Sequence, residues 1–196
     1  VTKSKMTLNV DAVVVGSGAG GAIAAYELAK AGKKVVVLEA GPYVPSEKFT
    51  EMLAISMATL YQDHGGQSNS AGDITILQGA CVGGSTVVNA ALCFRTPDYY
   101  LNLWAKEFGL TNLTPDVMLP YFEKVEANLQ IKENERYETS PGAELINQGI
   151  QKLGLPPGYA KRNVKNCGLT GHCFAGCVSD RKQSMLVTYL PWAVAY

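Results

Sequence analysis

Between Asp11 and Glu39 the chain has few ways to fold. Asp11-Ala-Val-Val-Val-Gly16 is followed by a glycine turn, a helix-patterned stretch, and then Lys34-Val-Val-Val-Leu-Glu39. Both β-branched runs are short and wholly apolar, the pattern of strands buried on both faces of a parallel sheet. Between them, from Ala19 to Ala31, Gly21, Ala25 and Ala29 recur every four residues. That small-residue stripe lets a helix sit close on a sheet, and Gly32 follows it as a helix-ending glycine does. Strand, helix and strand in this order predict a right-handed βαβ unit.

The turn itself, Gly16-Ser17-Gly18-Ala19-Gly-Gly21, has the form G-x-G-x-x-G between a strand and a helix. Gly16 allows the tight turn, Gly18 lets backbone approach a pyrophosphate, and Gly21 permits close helix–strand packing. The helix N-terminus adds free N–H groups and a positive dipole. Glu39 ends the second strand eighteen residues after Gly21, with Ala40 beside it. A carboxylate there accepts ribose hydroxyls and repels a 2′-phosphate, which disfavours NADP. A glycine turn that only packs a helix on a strand is the bland alternative. The full context of strand, turn, helix, strand and acid favours an adenine dinucleotide, and it does not separate FAD from NAD.

Composition narrows the partners. Apolar residues make up 47% of the chain and charged ones 17%, as in a globular protein. Lys and Arg together number 17, as do Asp and Glu, and no basic stripe appears. Nucleic acid and anionic membrane are therefore not expected partners. The longest apolar runs are too short to span a bilayer. Val1–Val10 carries lysines without the apolar core of a signal peptide. Cysteines number 5, an odd count unlike a disulfide framework, and a reducing, cytoplasmic-type compartment suits it.

Downstream, a helix is expected over Phe49–Tyr61 and a loop over Gly65–Gly72, then a short strand over Ile74–Leu77. A second glycine turn over Gly79–Ser85 leads to a helix or extended segment through Val87–Leu92. Thr114-Pro115-Asp116 opens a helix over Val117–Leu129. Between Ala40 and Val187 no further β-branched run appears, and Val187-Thr-Tyr-Leu190 is the next one. An open parallel sheet needs several strands. The sheet is thus expected to be completed by sequence beyond Tyr196, the remaining C-terminal part of a longer enzyme.

The second glycine cluster, Gln78-Gly-Ala-Cys-Val-Gly-Gly-Ser-Thr-Val-Val-Asn89, is a small-residue loop where backbone can approach a flat ligand. Its bland reading is a capped helix start. With the Gly16–Gly21 turn and Glu39, it resembles the N-terminal part of the glucose-methanol-choline (GMC) flavoprotein oxidoreductases. Arg95-Thr-Pro97, Leu119-Pro-Tyr-Phe-Glu-Lys-Val-Glu126 and Lys182-Gln-Ser-Met-Leu-Val-Thr-Tyr-Leu-Pro191 resemble further recurrent stretches of that family. Ala80 departs from a usual basic residue and Cys93 from a usual aromatic one. The resemblance implies a Rossmann-like α/β FAD-binding domain that takes part in oxidising an alcohol by hydride transfer to flavin. It implies that Gly79, Gly83, Gly84 and Ser85 run along the flavin end of FAD, with Asn89 beside the isoalloxazine. The family's catalytic histidine lies in a later segment. His64 and His172 match no such motif, and no catalytic residue is assigned here. An NAD-dependent dehydrogenase and a non-catalytic FAD-binding or partner-docking fragment are the rival readings.

Asn166-Cys167-Gly-Leu-Thr-Gly-His172-Cys173-Phe-Ala-Gly-Cys177 places three cysteines in a C-x5-C-x3-C pattern among glycines. Cys167, Cys173 and Cys177 could hold an iron–sulfur cluster, and with no fourth cysteine near, a [3Fe-4S] cluster is the natural form. Ordinary buried or loop cysteines, a disulfide, and zinc are the other readings. The expected organisation is an FAD-binding core over residues 1–97, a mainly helical insertion over 98–158, and a Cys-rich return over 159–196.

Overall fold

The first strand–helix–strand unit forms as its pattern predicts. In the computed structural model, which describes residues 6–196, strand β1 (Ala12–Val15) pairs in parallel with β2 (Val35–Leu38), in register from Ala12 opposite Val35 to Val15 opposite Leu38. Part of the Val1–Val10 segment read for a leader lies outside the described residues. Helix α1 (Ala19–Lys30) joins the two strands. It ends as expected, with Gly32 at a φ of +76° and its N–H donated to the Ala29 carbonyl at 2.8 Å.

The chain divides into two compact units. The first runs to Asn89 and takes back His172–Asp180 and Ser184–Tyr196. Besides β1, α1 and β2 it holds α2 (Leu53–Leu60), the short antiparallel pair β3 (Gln67–Ser68) and β4 (Thr75–Ile76), and a helix near its end. The second unit comprises Ala90–Gly171 and Arg181–Gln183. It carries α3 (Asp98–Phe108), α4 (Pro115–Asn128) and α5 (Pro141–Lys152), with β5 (Ile131–Glu133) antiparallel to β6 (Lys161–Asn163). Pro115 opens α4 and Pro141 opens α5, where a missing N–H costs nothing. The last helix of the chain, α6 (Tyr189–Val194), packs on α1 in the first unit. Tyr26 of α1 meets Tyr189 edge-on at 5.3 Å between ring centroids, and Trp192 and Tyr196 complete the cluster.

Three local expectations change. Phe49 stays extended, and α2 begins only at Leu53. The reason is packing, since the Phe49 ring lies so close over Gly176 that a Cβ there would come within 2.7 Å of it. Val87–Leu92 is neither helix nor strand. Val87 and Val88 are buried beside Leu60, Tyr61, Cys81 and Leu186 in the core of this unit, and Ala91 turns the chain at a φ of +62°. Val187–Leu190 runs from a turn into α6, because the buried Thr188 hydroxyl donates to the Ser184 carbonyl at 2.7 Å and bends the backbone.

The sheet strands were expected to be buried on both faces. Instead β1 alternates, with Val13 55% and Val15 82% exposed. The closeness of α1 to the sheet rests on Gly21, where a Cβ would stand 2.0 Å from the Gly16 carbonyl oxygen. Gly20, one residue earlier, has nothing within 4 Å of such a Cβ. Gly21→Ala should therefore destabilise the protein by about 3 kcal/mol or more, through overpacking that neither backbone can relieve. Gly20→Ala should be neutral or stabilise by up to about 1 kcal/mol, through reduced unfolded-state freedom. Thermal melting of the two variants checks the contrast, and equal melting temperatures would contradict it.

Candidate functional site

Two glycine turns and one carboxylate meet in the first unit. Gly16 holds a φ of +89° at the end of β1, and its N–H donates to the Leu38 carbonyl at 2.7 Å. Gly18 occupies the N-cap of α1 without a side-chain cap, and no acidic residue stands in the first turn. The leading N–H groups of the helix thus lack the side-chain acceptor most helices provide. A Cβ at Gly18 would meet nothing within 4 Å, so the space beside this turn is open. An uncapped helix start facing open space is suited to an anionic group.

Glu39 follows β2 and is held from several sides. Its Oε2 accepts the Ser17 N–H at 2.8 Å and the Ser17 hydroxyl at 2.6 Å. Its Oε1 accepts the Gly41 N–H at 2.8 Å. Burial pushes the carboxyl pKa up, but hydrogen bonds from the Ser17 side chain and from the Gly41, Ser17 and Ala40 N–H groups outweigh it. The net position is below the ordinary value of 4.5, and the group is a carboxylate at neutral pH.

The second glycine turn packs against the first. A Cβ on Gly84 would lie 2.8 Å from the Gly18 Cα, and one on Gly41 only 2.2 Å from the Ala80 carbonyl oxygen. A Cβ on Gly79 would fall 2.6 Å from the Gly84 carbonyl oxygen. The glycines of this cluster thus serve the approach of backbone to backbone. Gly83 takes a φ of +94°, and its N–H donates to Ser17 Oγ at 3.0 Å. Ser85 Oγ accepts the Gly79 N–H at 3.0 Å. Thr86 Oγ1 donates to the Gly83 carbonyl at 2.6 Å and accepts the Met185 N–H at 2.9 Å. Asn89 is half-buried at the end of the run, and Ala19 is exposed at the start of α1.

A cavity of about 880 Å³ runs along β2, walled by Val35 and Val37, by Ala25 of α1 and by Leu190 of α6, with Ser17 and Glu39 also in its wall. It is a largely apolar trough beside the strand, distinct in its lining from the open space at Gly18.

Residues 57–196 match the GMC oxidoreductase family model, and residues 11–54 match an FAD binding domain. The chain belongs to the GMC oxidoreductase family.

Among GMC relatives, it is 33% identical over 195 residues to an uncharacterised GMC-type oxidoreductase of Sinorhizobium fredii, covering 96% of this chain and 37% of that protein. It is 33% identical over 185 residues to a long-chain-alcohol oxidase of Arabidopsis thaliana, covering 94% of this chain and 25% of that one. The chain therefore spans well under half the length of these relatives. In fold it resembles the crystal structure of pyridoxine 4-oxidase from Mesorbium loti, with a TM-score of 0.60 at 20% identity over 89% of this chain and 41% of that one. Formate oxidase gives a TM-score of 0.59 at 18% identity, over 89% of this chain and 37% of that one.

The iron–sulfur site expected at Cys167, Cys173 and Cys177 finds no support. Among the described residues, no group of three His, Cys, Asp or Glu side chains is placed to hold a metal ion. Cys167 belongs to the second unit, whereas Cys173 and Cys177 belong to the first. The turn at Cys173–Ala175 is occupied in docking on α2. The Tyr61 hydroxyl donates to the Phe174 carbonyl at 2.7 Å, and the Ser56 hydroxyl donates to the Ala175 carbonyl at 2.9 Å. The interleaved glycine Gly176 serves the Phe49 contact. None of the five cysteines is joined in a disulfide. His172 faces Glu51 at 3.7 Å on the surface, and His64 Nδ1 lies 3.0 Å from the Ala58 carbonyl oxygen.

The sequence placed Ser17 among the cofactor-binding residues of the turn and left Thr86 at most a helix-capping role, with no partner specified for either hydroxyl. Both sit at positions that the glycine patterns treat as variable, so only their partners reveal their work. Because Glu39 is depressed in the folded state, its ionised form stabilises the protein above the unfolded carboxyl value. That contribution fades as pH falls through the folded value. The melting temperature of the wild type relative to Glu39→Gln should accordingly stay constant from neutral pH down to about 4.5 and shrink below it. A difference that grows toward acid pH would contradict the assignment.

Proposed function

We propose that this chain is the FAD-binding part of an oxidoreductase that oxidises an alcohol to a carbonyl by hydride transfer to flavin, built on a Rossmann-like domain. The observation that carries the reading is the pairing of an ionised Glu39 at the end of β2 with the uncapped start of α1 beside the open space at Gly18. These are the two demands of an adenosine diphosphate, a ribose acceptor and an anion site, at the C-terminal end of parallel strands. Family membership selects FAD over a nicotinamide. Alcohol oxidation is supported at family level by relatives that include long-chain-alcohol oxidases.

When bound, FAD supplies the hydride acceptor. This chain's residues bind and orient it. The leading N–H groups of α1 hold the pyrophosphate, and Gly18 leaves room for it. Glu39 accepts ribose hydroxyl protons and repels a 2′-phosphate. The Gly79–Asn89 segment, including Gly83, Gly84, Ser85 and Asn89, runs toward the flavin end. Proton removal from the substrate hydroxyl is assigned to no residue here, since His64 and His172 are both exposed and match no catalytic motif of the family.

The expected preparation is yellow, with absorption near roughly 450 nm from bound flavin. Glu39→Ala should weaken FAD binding about 10–100-fold, the loss of one or two charge-assisted hydrogen bonds. Gly18→Val should weaken it further by filling the pyrophosphate's space. A colourless protein with no affinity for FAD, or an unchanged dissociation constant in Glu39→Ala, overturns the reading.

A further inference from the structure

We propose that Ser17 is a positioning residue for Glu39, a buried strut that orients the carboxylate for the cofactor ribose and ties it to the second glycine turn. The inference rests on the FAD reading above, and it differs from a direct contact between Ser17 and cofactor. Ser17 is only 1% exposed. Its hydroxyl is committed within the protein, donating to Glu39 Oε2 at 2.6 Å and accepting the Gly83 N–H at 3.0 Å. Its own N–H donates to the same Oε2 at 2.8 Å. Two short bonds on Oε2 thus come from one residue, while Oε1 accepts the Gly41 N–H at 2.8 Å and the Ala40 N–H also favours the carboxylate.

Three consequences follow from that geometry. The carboxylate cannot rotate toward solvent without breaking two short hydrogen bonds to a buried residue. Its ionised form is favoured by donors that carry no net charge. Lys33, Lys34, Tyr43 and Tyr196 are the other titratable groups lining the cavity, and none of them enters that balance. Finally, a displacement of Gly83 is transmitted through the Ser17 hydroxyl to the carboxylate, because a hydroxyl that loses its N–H donor leaves a buried amide unpaired, which is costly. The variable position in G-x-G thereby becomes the joint between the ribose site and the second glycine turn.

Calorimetric titration of ADP into the chain, from acid to neutral pH, tests the proposal in the wild type, Ser17→Ala, Ser17→Cys and Glu39→Gln. Wild-type affinity should fall on the acid side as Glu39 takes up its proton, and Glu39→Gln should bind weakly with no such step. Ser17→Ala should bind about fivefold more weakly at neutral pH, the loss of one hydrogen bond's effect. Its acid midpoint should move to higher pH, because a donor that favours the carboxylate is gone. Ser17→Cys, which keeps a weaker donor of similar size, should lie between. A purely structural role would lower the melting temperature and leave the midpoint where it is. A wild-type midpoint in Ser17→Ala overturns the proposal, and if that variant does not fold, a wild-type midpoint in Ser17→Cys does the same. Wild-type chain that binds no ADP at all removes the cofactor reading together with this inference. Binding with a step that disappears in Glu39→Gln but is unmoved in both Ser17 variants removes this inference alone.

Discussion

Three loops of the first unit approach one another so closely that no side chain fits between them. Gly21 lies against the Gly16 carbonyl, Gly84 against Gly18, and Gly41 against Ala80, each leaving under 3 Å for a would-be Cβ. Contact at this range is possible only where the Cβ is missing, and it brings backbone N–H groups within reach of a common acceptor. Glu39 is that acceptor. It gathers the Ser17 and Gly41 N–H groups, and the Ser17 hydroxyl links it onward to Gly83. Without the glycine contacts the loops would stand too far apart for these bonds. Without the carboxylate they would hold buried donors with no partner, a costly arrangement.

The electrostatics of this centre differ from those of an ion pair. Among the described residues, the groups that set the Glu39 charge state include no cation. Its charge is held by neutral donors whose hydrogen bonds outweigh the cost of burial. Such a carboxylate keeps a net negative charge to offer a ligand, since no partner neutralises it. At the other end of the turn, α1 presents its positive dipole end with no acid in the first turn to cancel it. The end of β2 and the start of α1 therefore lie side by side, a charged acceptor and an uncapped helix start, the pair that the proposed adenosine diphosphate site would use.

Polar pairings elsewhere serve rigidity. In the second unit Arg95 makes a two-pronged bond to Glu126, at 2.8 Å through Nε and 2.6 Å through Nη2, and its guanidinium lies over the Phe122 ring. The Arg95-Thr-Pro97 and Leu119–Glu126 stretches that looked like recurrent motifs are thus joined by one fork-shaped contact. The cysteine-rich return shows the opposite lesson. Its spacing matches a ligand set, yet its carbonyls at Phe174 and Ala175 are taken by Tyr61 and Ser56.

The βαβ unit, the glycine turn and the acid at the end of β2 were legible because local rules determine them. Period, β-branching and the φ demands of single glycines are properties of neighbours along the chain. The family resemblance was legible for the same reason, since its motifs are contiguous. Other features depended on residues far apart in sequence. Phe49 is pulled out of α2 by Gly176, Thr188 turns Val187–Leu190 into a helix start, and the cysteines sort into different units. The position of Ser17 belongs with these. Its hydroxyl has a role only because Glu39, 22 residues away, and Gly83, 66 residues away, converge on it. Local chemistry set the elements and the ligand-ready turn, and long-range packing decided which polar groups that turn could use.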